Sequence, residues 1–406
     1  MRARDAVWIT GVGTATPLGT TFATVADSFL EGRSGIRPVT RLDLAQSPCR
    51  IAGDIETLPA PPGWDEQEFA ALDGPEQLFL WCVVQALRDA GWWERRSAPR
   101  LGLVLGYGAE TLLSWEKDWQ RGGRAVQFPE QEKESLLECV QRRVEMTGPA
   151  TMVAAACASG NVALAVARRW LELGWVDACV AGGCDRAVTP MCLGGFANLG
   201  ALSSRNEDPQ GASRPFDRGR DGLVLGEGGA LFVLEPATQA RRRGARAYAE
   251  VAGYGASSDA HHIVIPSTDS KPAVAAIRQA LADAAINPDE VDYINAHATS
   301  TPVGDSAEAR ALKIVFGDAV ARIPVSGTKS MTGHALSGAA TIDAIACLAA
   351  LEHQAVPPTI NLTDPDPECD LCHVPNEAQP RPLRVVVSNS FGFGGSNTSL
   401  VLRKVA

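Results

Sequence analysis

Residues 152–174 read MVAAACASGNVALAVARRWLELG, and this stretch decides the fold class. An apolar run leads into Cys157, Ser159 and Gly160, which precede an alanine-rich segment with apolar residues at helical spacing. The pattern predicts a β-strand, a tight turn and an α-helix. A cysteine at the helix N-terminus meets the positive end of the helix dipole, which favours the thiolate, and the sharp turn exposes its sulfur. Taken alone, a cysteine among small residues is more often a core residue.

Outward from this stretch, short β-branched runs alternate with Ala- and Leu-rich helical segments, which is typical of α/β proteins. The order of elements is consistent with two halves joined near Leu234–Ala249, each with reactive residues at the end of a strand. Thr57–Glu68 and Glu110–Glu134 are predicted to be surface excursions. The predicted strands are Val7–Gly13, Leu101–Gly108, Met152–Ala156, Ala178–Gly183, Ala230–Leu234, Tyr248–Gly253, Val291–Ala296, Ile323–Ser326, Val356–Thr359, Arg384–Ser388 and Ser399–Arg403. The predicted helices are Thr21–Glu31, Pro75–Ala90, Gly160–Leu173, Lys271–Ala285, Ser306–Phe316 and Gly338–Glu352.

The composition excludes several classes of protein. Apolar residues make up 45% and charged residues 21% of the 406 residues, which excludes a disordered or fibrous chain. The net charge of −10 argues against nucleic acid as the main partner. The longest apolar stretch, Ala339–Leu351, contains Asp343 and is too short to span a bilayer. Because the N-terminus has no signal-peptide pattern, we expect a cytosolic protein.

The ten cysteines are not expected to form disulfides, because most lie in apolar runs of a chain expected to be cytosolic. Cys369 and Cys372 form a lone CxxC without a second pair at metal spacing. The adjacent His261 and His262 have no third ligand at helical or hairpin spacing. We therefore predict no metal site.

Three further segments place reactive side chains in loops rich in Gly, Ser and Thr, each after an apolar strand. VDYINAHATSTPVGDSAEA projects His297 into a loop of hydroxyl residues, and IPVSGTKSMTGHALSG presents Lys329 and then His334. VVVSNSFGFGGSN ends a strand in a glycine-dense turn that can aim backbone N–H groups at an oxyanion. One cysteine, two histidines and one lysine in such loops predict a single catalytic site.

These segments resemble those of the β-ketoacyl-acyl-carrier-protein synthases, type II branch, of the thiolase-like superfamily, and the match runs through nearly the whole chain. The motifs that carry it occur in order: VWITGVGTATPLG with LEGRSGI, CASG, VAGGCD, SSRNEDPQGASRPFDRGRDGLVLGEGGA, NAHATSTPVGD, GTKSMTGH, PPTINLTDPDPECDL and NSFGFGGSN.

The resemblance implies the architecture and the partners. We expect an α/β fold, a five-layered αβαβα sandwich of two similar halves. Residues 1–249 would carry the nucleophilic cysteine and residues 250–406 the two histidines. The resemblance also implies a homodimer, with a heterodimer left open. The substrate would carry phosphopantetheine on an acyl carrier protein, and no metal or other cofactor is implied.

The resemblance also implies the reaction, a decarboxylative Claisen condensation of an enzyme-bound acyl group with a malonyl thioester in fatty-acid or polyketide-like synthesis. Cys157 is the expected nucleophile. His297 and His334 are the expected hydrogen-bond donors to the enolate that remains when CO2 departs. Lys329 and Glu308 match the supporting pair that orders these histidines.

Binding positions follow from the same match. The backbone N–H groups of Cys157 and Phe393 match the oxyanion hole. Thr299 and Thr301 match the positions that hydrogen-bond the phosphopantetheine arm. The other residues expected to line the substrate site, with Phe393, are Phe196 and Phe391.

The catalytic residue types separate related activities. A second cysteine would suit a thiolase, a His–Asn pair a priming synthase, and glutamine in place of Cys157 a non-condensing chain-length partner. Cysteine with two histidines predicts condensation. Two alternatives stay open: a non-elongating partner subunit of a heterodimer, and an acyltransferase that passes the acyl group from Cys157 to another nucleophile.

Four departures from the family pattern bear on the partner and the substrate. Trp64–Phe69 is acidic where the family usually has a Lys- or Arg-containing helix that attracts the acidic carrier protein, and Gly200 stands at another basic position of the family. Phe128–Glu145 is acid-rich where the family has an apolar segment, and Ala298 takes the place of a usual glycine. Three explanations are open: a shifted docking patch, a less acidic dedicated carrier, or a substrate bound to coenzyme A. We favour a shifted patch around Arg205, which in the family lies near the acyl-pocket loop containing Phe196.

Overall fold

The computed structural model describes residues 5–123 and 134–405, and a mixed sheet of ten strands dominates this part of the chain. Two short strand pairs, β2–β3 and β11–β12 in the numbering below, stand apart from it. The strands are β1 (Val7–Ala15), β2 (Arg37–Pro38), β3 (Ile51–Ala52), β4 (Leu101–Gly106), β5 (Ala150–Val153), β6 (Ala178–Asp185), β7 (Gly228–Pro236), β8 (Ala249–Ser258), β9 (Tyr293–Asn295), β10 (Val325–Ser326), β11 (Ala355–Val356), β12 (Gln379–Pro380), β13 (Val385–Gly392) and β14 (Ser396–Arg403). The helices are α1 (Phe22–Leu30), α2 (Glu66–Ala70), α3 (Gly74–Asp89), α4 (Glu110–Gln120), α5 (Leu136–Val144), α6 (Ser159–Glu172), α7 (Pro190–Asn198), α8 (Pro209–Ala212), α9 (Ala237–Arg242), α10 (Lys271–Asp283), α11 (Pro302–Phe316), α12 (Lys329–Thr332) and α13 (Ala339–His353).

The sheet consists of two halves with the same strand pattern. In the first half, β1 pairs antiparallel with β7 and β7 with β6, while β6 and β5 both run parallel to β4. The second half repeats this pattern: β8 pairs antiparallel with β14 and β14 with β13, while β13 and β10 run parallel to β9. The halves join where Ile9 of β1 pairs with Ala249 of β8. The predicted fold of two similar halves is confirmed, and the division between residues 249 and 250 stays a prediction.

Helices α6 and α13 form the central layer, because each contacts strands of both halves. Helix α3 covers the first half on the outside and α10 covers the second, which gives the αβαβα order. Residues 339–351 of α13 are all buried, as expected for a helix that is apolar on every side. The stretch Leu336–His353 is long and apolar enough to cross a membrane by length and composition, but 83% of it is buried inside the protein. It is therefore a core helix.

The repeat places the reactive segments at equivalent points. β5 leads to Cys157 and α6 in the first half, and β10 leads to Lys329, His334 and α13 in the second. Each of these strands forms the outer edge of its half of the sheet. The two central helices begin beside each other, because the turns that precede them, Ala156–Ala158 and Leu336–Gly338, are in contact. The reactive residues of both halves lie near this contact.

One predicted strand is wrong. Of the predicted strand Val356–Thr359, only Val356 is in a strand, and it pairs outside the large sheet, because the next two residues are prolines and lack the N–H that a strand ladder needs. The described part of the predicted surface excursion Glu110–Glu134 includes α4, which exposes Trp115 and Trp119 but buries Glu116, whose carboxylate accepts the Met191 N–H at 3.0 Å. The rest of that segment, residues 124–133, lies outside the described residues.

The acid-rich stretch Phe128–Glu145 is described only from residue 134. There α5 has an apolar buried side, and one of the acidic residues, Glu138, has a local structural role. Glu138 and Ser135 form a capping box, in which the carboxylate accepts the Ser135 N–H at 2.9 Å. Part of the acidic character of this stretch is therefore explained by helix capping.

Candidate active site

Cys157 lies where the chain turns from β5 into α6. Ala156 has a φ angle of 49°, a left-handed conformation that is strained for a residue with a side chain, and Ala156–Ala158 form a single 3₁₀ turn. Ser159 fixes this turn, because its Oγ accepts the Ala155 N–H at 2.9 Å and donates to the Ala156 carbonyl at 2.7 Å. The strain and the hydrogen bonds hold the sulfur in one position.

The two histidines come from the second half. His297 follows β9 and His334 follows α12, and their ring centroids are 5.3 Å apart with the ring planes at 84°. Glu308 on α11 accepts the backbone N–H of His297 at 2.9 Å and that of Ala298 at 2.8 Å. The Cys157 Sγ and one nitrogen from each ring lie within 4.8 Å of one another. One reacting group can therefore contact all three side chains.

Lys329 and Glu308 act on the site in different ways. The Nζ of Lys329 lies 2.5 Å from Oδ2 of Asp343, and both side chains are buried. The Thr328 hydroxyl donates to the other carboxylate oxygen at 3.1 Å. Lys329 thus has Asp343 as its ion-pair partner, whereas Glu308 holds the backbone at His297. The two residues of the expected supporting pair, Lys329 and Glu308, therefore have different partners.

The glycine-dense turn after β13 approaches the nucleophile closely. A Cβ at Gly392 would lie 2.9 Å from the Ala155 carbonyl oxygen and 3.1 Å from the Cys157 nitrogen, so only glycine fits there. The backbone N–H groups of Phe393 and Cys157 both donate towards the sulfur. The Ser390 hydroxyl also donates to the Cys157 carbonyl at 2.8 Å, which fixes β13 against the nucleophile turn. Two backbone donors beside one reacting atom are the arrangement that an oxyanion hole requires.

Burial dominates the electrostatics of the site. It raises the pKa of the Cys157 thiol to about 11, although the Lys329 charge and the Phe393 N–H oppose this shift. Burial therefore opposes the effect of the helix dipole, which favours the thiolate. Burial also lowers the pKa of His334 to about 3 and that of His297 well below its usual range, and the Lys329 charge acts in the same direction. Both rings are neutral at pH 7, and each has one N–H donor.

A cavity of about 380 Å³ gives access to the cysteine and the two histidines. The rings of Phe196 and Phe393 stack on its wall with centroids 5.8 Å apart, and the hydroxyls of Thr299 and Thr301 lie 2.9 Å from each other. Every residue expected to bind substrate borders this cavity: Thr299, Thr301, Phe196, Phe391 and Phe393. A larger cavity of about 750 Å³ is lined by none of the described site residues.

Sequence reasoning missed two buried carboxylates near the site. Asp343 was visible only as a lone charge in an apolar stretch, and that isolation was the available signal, because a buried charge needs a partner. Asp185 ends β6, accepts the Ser337 N–H at 3.2 Å, and has its pKa raised to about 7 by burial.

Sulfur and imidazole are also zinc ligands, and among the described residues Cys157 and the two histidines lie close enough together to hold a metal ion.

The chain is similar over nearly its whole length to known proteins. Residues 4–240 match the β-ketoacyl synthase N-terminal domain and residues 248–363 the C-terminal domain. The chain is 39% identical over 407 residues to 3-oxoacyl-[acyl-carrier-protein] synthase 2 of Coxiella burnetii, with 98% of each chain covered. It is 30% identical to the type II PKS ketosynthase in AntDE:AntF, solved with its acyl-carrier protein (TM-score 0.88; 99% of this chain and 100% of that chain). It is 32% identical to the ishigamide ketosynthase/chain length factor (TM-score 0.88; 100% of both chains).

The fold and the site thus define a condensing acyltransferase of thiolase-like architecture. The family match covers both halves, including every residue of the cysteine turn and both histidine loops. The chain belongs to the β-ketoacyl synthase family.

Proposed function

We propose that this enzyme elongates acyl chains by condensing an acyl group on Cys157 with a malonyl group delivered by an acyl carrier protein. The observation that carries the proposal is the convergence of the Cys157 sulfur and the nitrogens of His297 and His334 within 4.8 Å on one cavity wall. A thiol that borders the cavity can attack a thioester carbonyl, and two neutral donors suit an enolate.

In the first half-reaction, the Cys157 sulfur attacks the thioester carbonyl of the incoming acyl group. The carbonyl oxygen takes up negative charge and accepts the N–H groups of Cys157 and Phe393; one such donor is typically worth about 3 kcal/mol. The C–S bond to the carrier then breaks, and the proton lost by Cys157 leaves with the carrier thiol. The products are acyl-Cys157 and the free carrier.

In the second half-reaction, malonyl thioester loses CO2 and becomes an enolate. The neutral rings of His297 and His334 donate to the enolate oxygen, where a charged ring would instead hold the carboxylate that must leave. The enolate carbon attacks the acyl carbonyl, the C–S bond to Cys157 breaks, and the sulfur takes a proton from solvent. The product is a 3-ketoacyl thioester two carbons longer.

The cavity would admit the thioester arm of the substrate to the reacting atoms. We propose that the hydroxyls of Thr299 and Thr301 hydrogen-bond the amides of the phosphopantetheine arm, because they border the cavity and face each other at 2.9 Å. Phe196, Phe391 and Phe393 supply apolar surface for the acyl chain. We propose no metal and no cofactor besides the arm that the substrate carries.

Assembly and location are also proposals. Strand β5 lies at the edge of the sheet with half-buried residues, which favours pairing with a second chain through that edge. Because Cys157 is present, we propose a homodimer in the cytosol rather than the non-condensing half of a heterodimer. Native mass spectrometry tests this: twice 42.8 kDa is expected, and a monomer would contradict it.

The reaction is tested by incubating the protein with acyl and malonyl carrier protein. We expect an acyl adduct on Cys157 by intact-mass measurement, together with release of CO2. An adduct without CO2 would instead identify an acyltransferase, and neither signal would identify a non-elongating partner subunit. The Cys157→Ala variant is the matched control for the adduct.

A further inference from the structure

We infer that Arg220 is a positioning residue for the loop that carries Thr299 and Thr301, and so for recognition of the thioester arm. The inference rests on the proposed role of these threonines. The Arg220 side chain is 3% exposed and lies between the turn at Asp217, the start of α11 and the loop at Asp366. A buried guanidinium is retained only where its five donors are used.

Two of the three guanidinium nitrogens hold the start of α11. Nε donates to the Thr301 carbonyl at 3.3 Å, and Nη2 donates to the Pro302 carbonyl at 3.0 Å and to the Ser306 hydroxyl at 3.0 Å. The third nitrogen, Nη1, donates to Asp366 Oδ2 at 2.6 Å, which anchors the guanidinium to the loop at Asp366. The guanidinium thus connects the arm-binding loop to a separate part of the fold.

The loop needs such support because its backbone is strained. Ala298 has a φ angle of 36° and Ser300 one of 69°, both in the left-handed region that side chains disfavour. Ser300 is held by the segment that contains Arg220: the Arg214 N–H donates to its hydroxyl at 2.9 Å and the Gly222 N–H to its carbonyl at 3.2 Å. Without these contacts, the loop would relax and its hydroxyls would move.

Arg220 acts through the loop, since its donors are all occupied by protein atoms. Asp305 completes the arrangement, because its Oδ1 accepts the Ser300 N–H at 3.1 Å while its Oδ2 lies 3.6 Å from the Arg220 Nε. The hydroxyls of Thr299 and Thr301 are therefore set by a charged network on the side away from the cavity. Loss of the network should weaken binding of the arm and spare the chemistry at the sulfur.

The test measures CO2 release from malonyl-pantetheine, which carries an arm, and from malonyl methyl thioester, which does not. We expect Arg220→Gln to raise KM for malonyl-pantetheine about tenfold and to change the rate with the armless thioester by less than about twofold. Arg220→Lys should recover part of the loss, since an ammonium still reaches one carbonyl. Arg218→Gln, at an exposed arginine, is the matched control and should change neither rate.

A double-mutant cycle separates positioning from general weakening. If Arg220 acts through the loop, Thr301→Val and Arg220→Gln together should cost little more than either alone. Additive effects, or equal losses with both substrates, would overturn the inference. If Arg220→Gln does not fold, the same measurements can be made on Asp366→Asn, because the Asp366 side chain is more exposed than that of Arg220. A wild-type enzyme that gives neither an acyl adduct nor CO2 with acyl and malonyl carrier protein would refute the proposed function, and the inference with it.

Discussion

Lys329 and Asp343 form a buried ion pair, with Nζ 2.5 Å from Oδ2, and its cation acts on all three catalytic side chains. The Lys329 charge lowers the pKa of His297, His334 and Cys157. The ion pair therefore favours neutral histidines and opposes the effect of burial on the thiol. The same lysine thus forms a buried ion pair within the second half and acts on the nucleophile of the first half.

Breaking this pair should destabilise the protein more than removing it. We expect Lys329→Met to lower the free energy of unfolding by about 3–5 kcal/mol, because the buried Asp343 would lose its only charged hydrogen-bond partner among the described residues and keep only the Thr328 hydroxyl. Adding Asp343→Asn should restore most of that loss and leave decarboxylation slow, since the positive charge is still missing. Urea unfolding and CO2 release measure the two effects. A Lys329→Met variant as stable as the wild type would contradict the pairing of Lys329 with Asp343.

The histidine roles are tested in a background that cannot be acylated. Cys157→Gln should still decarboxylate malonyl carrier protein, because the amide resembles the acylated cysteine. In that background, we expect His297→Ala and His334→Ala each to slow CO2 release by about 10²-fold or more. In the wild-type background, both should slow acylation of Cys157 far less. Equal losses in the two half-reactions would refute the enolate role.

The thiol should react as a buried group of raised pKa. Because the pKa of Cys157 is about 11, the thiol is protonated at pH 7 and its thiolate fraction grows with pH. We expect the alkylation rate with iodoacetamide, followed on the Cys157 peptide, to rise about tenfold per pH unit between pH 7 and 9. A rate already constant from pH 6 to 8 would show a thiolate in the resting enzyme.

Much of this site could be predicted because its residues follow strand ends in short, distinctive loops. Cys157, His297 and His334 all come after apolar strands, so strand pattern and loop composition suffice to bring them together. The Lys329–Asp343 pair could not be predicted, because Asp343 lies inside an apolar helix and packing between distant segments decides its partner. The raised pKa of the thiol was missed for a similar reason: local sequence gives the helix dipole but not the degree of burial.

The fold shows the same limits. The alternation of strands and helices gives two α/β halves, and the repeated strand order follows from how they pack. By contrast, the local sequence of Glu110–Gln120 gives no sign that Glu116 is buried and accepts the N–H of Met191 at the start of α7. A contact between distant segments again overrides the local pattern.

Ala298 offers a test of backbone strain in the histidine loop. Its φ angle of 36° is costly for alanine, whereas glycine adopts it freely. We expect Ala298→Gly to raise the free energy of unfolding by about 1 kcal/mol, as strain relief exceeds the added entropy of the unfolded chain. Ala296→Gly, two residues earlier at a position without positive φ, is the control and should destabilise. A loss of stability for Ala298→Gly would show that the strain is not costly.

Docking of the carrier protein is tested by charge reversal. Arg205 donates to the Gly219 carbonyl at 2.7 Å and lies 3.7 Å from Asp221, which borders the cavity. If an acidic carrier docks there, Arg205→Glu should raise its KM and leave a pantetheine substrate unaffected. Glu66→Lys with Glu68→Lys should improve use of a generic acidic carrier, and salt should reduce the gain. No effect of either change at low salt would exclude both surfaces.

The central claim is that the acyl group on Cys157 becomes part of a longer chain. A single-turnover experiment tests it most directly: enzyme acylated with a labelled acyl group is separated from free substrate and mixed with malonyl carrier protein. The account predicts a labelled 3-ketoacyl product two carbons longer, formed with one CO2 for each acyl group lost from Cys157. Label that stays on Cys157, or that leaves it without a new carbon–carbon bond, would contradict the account.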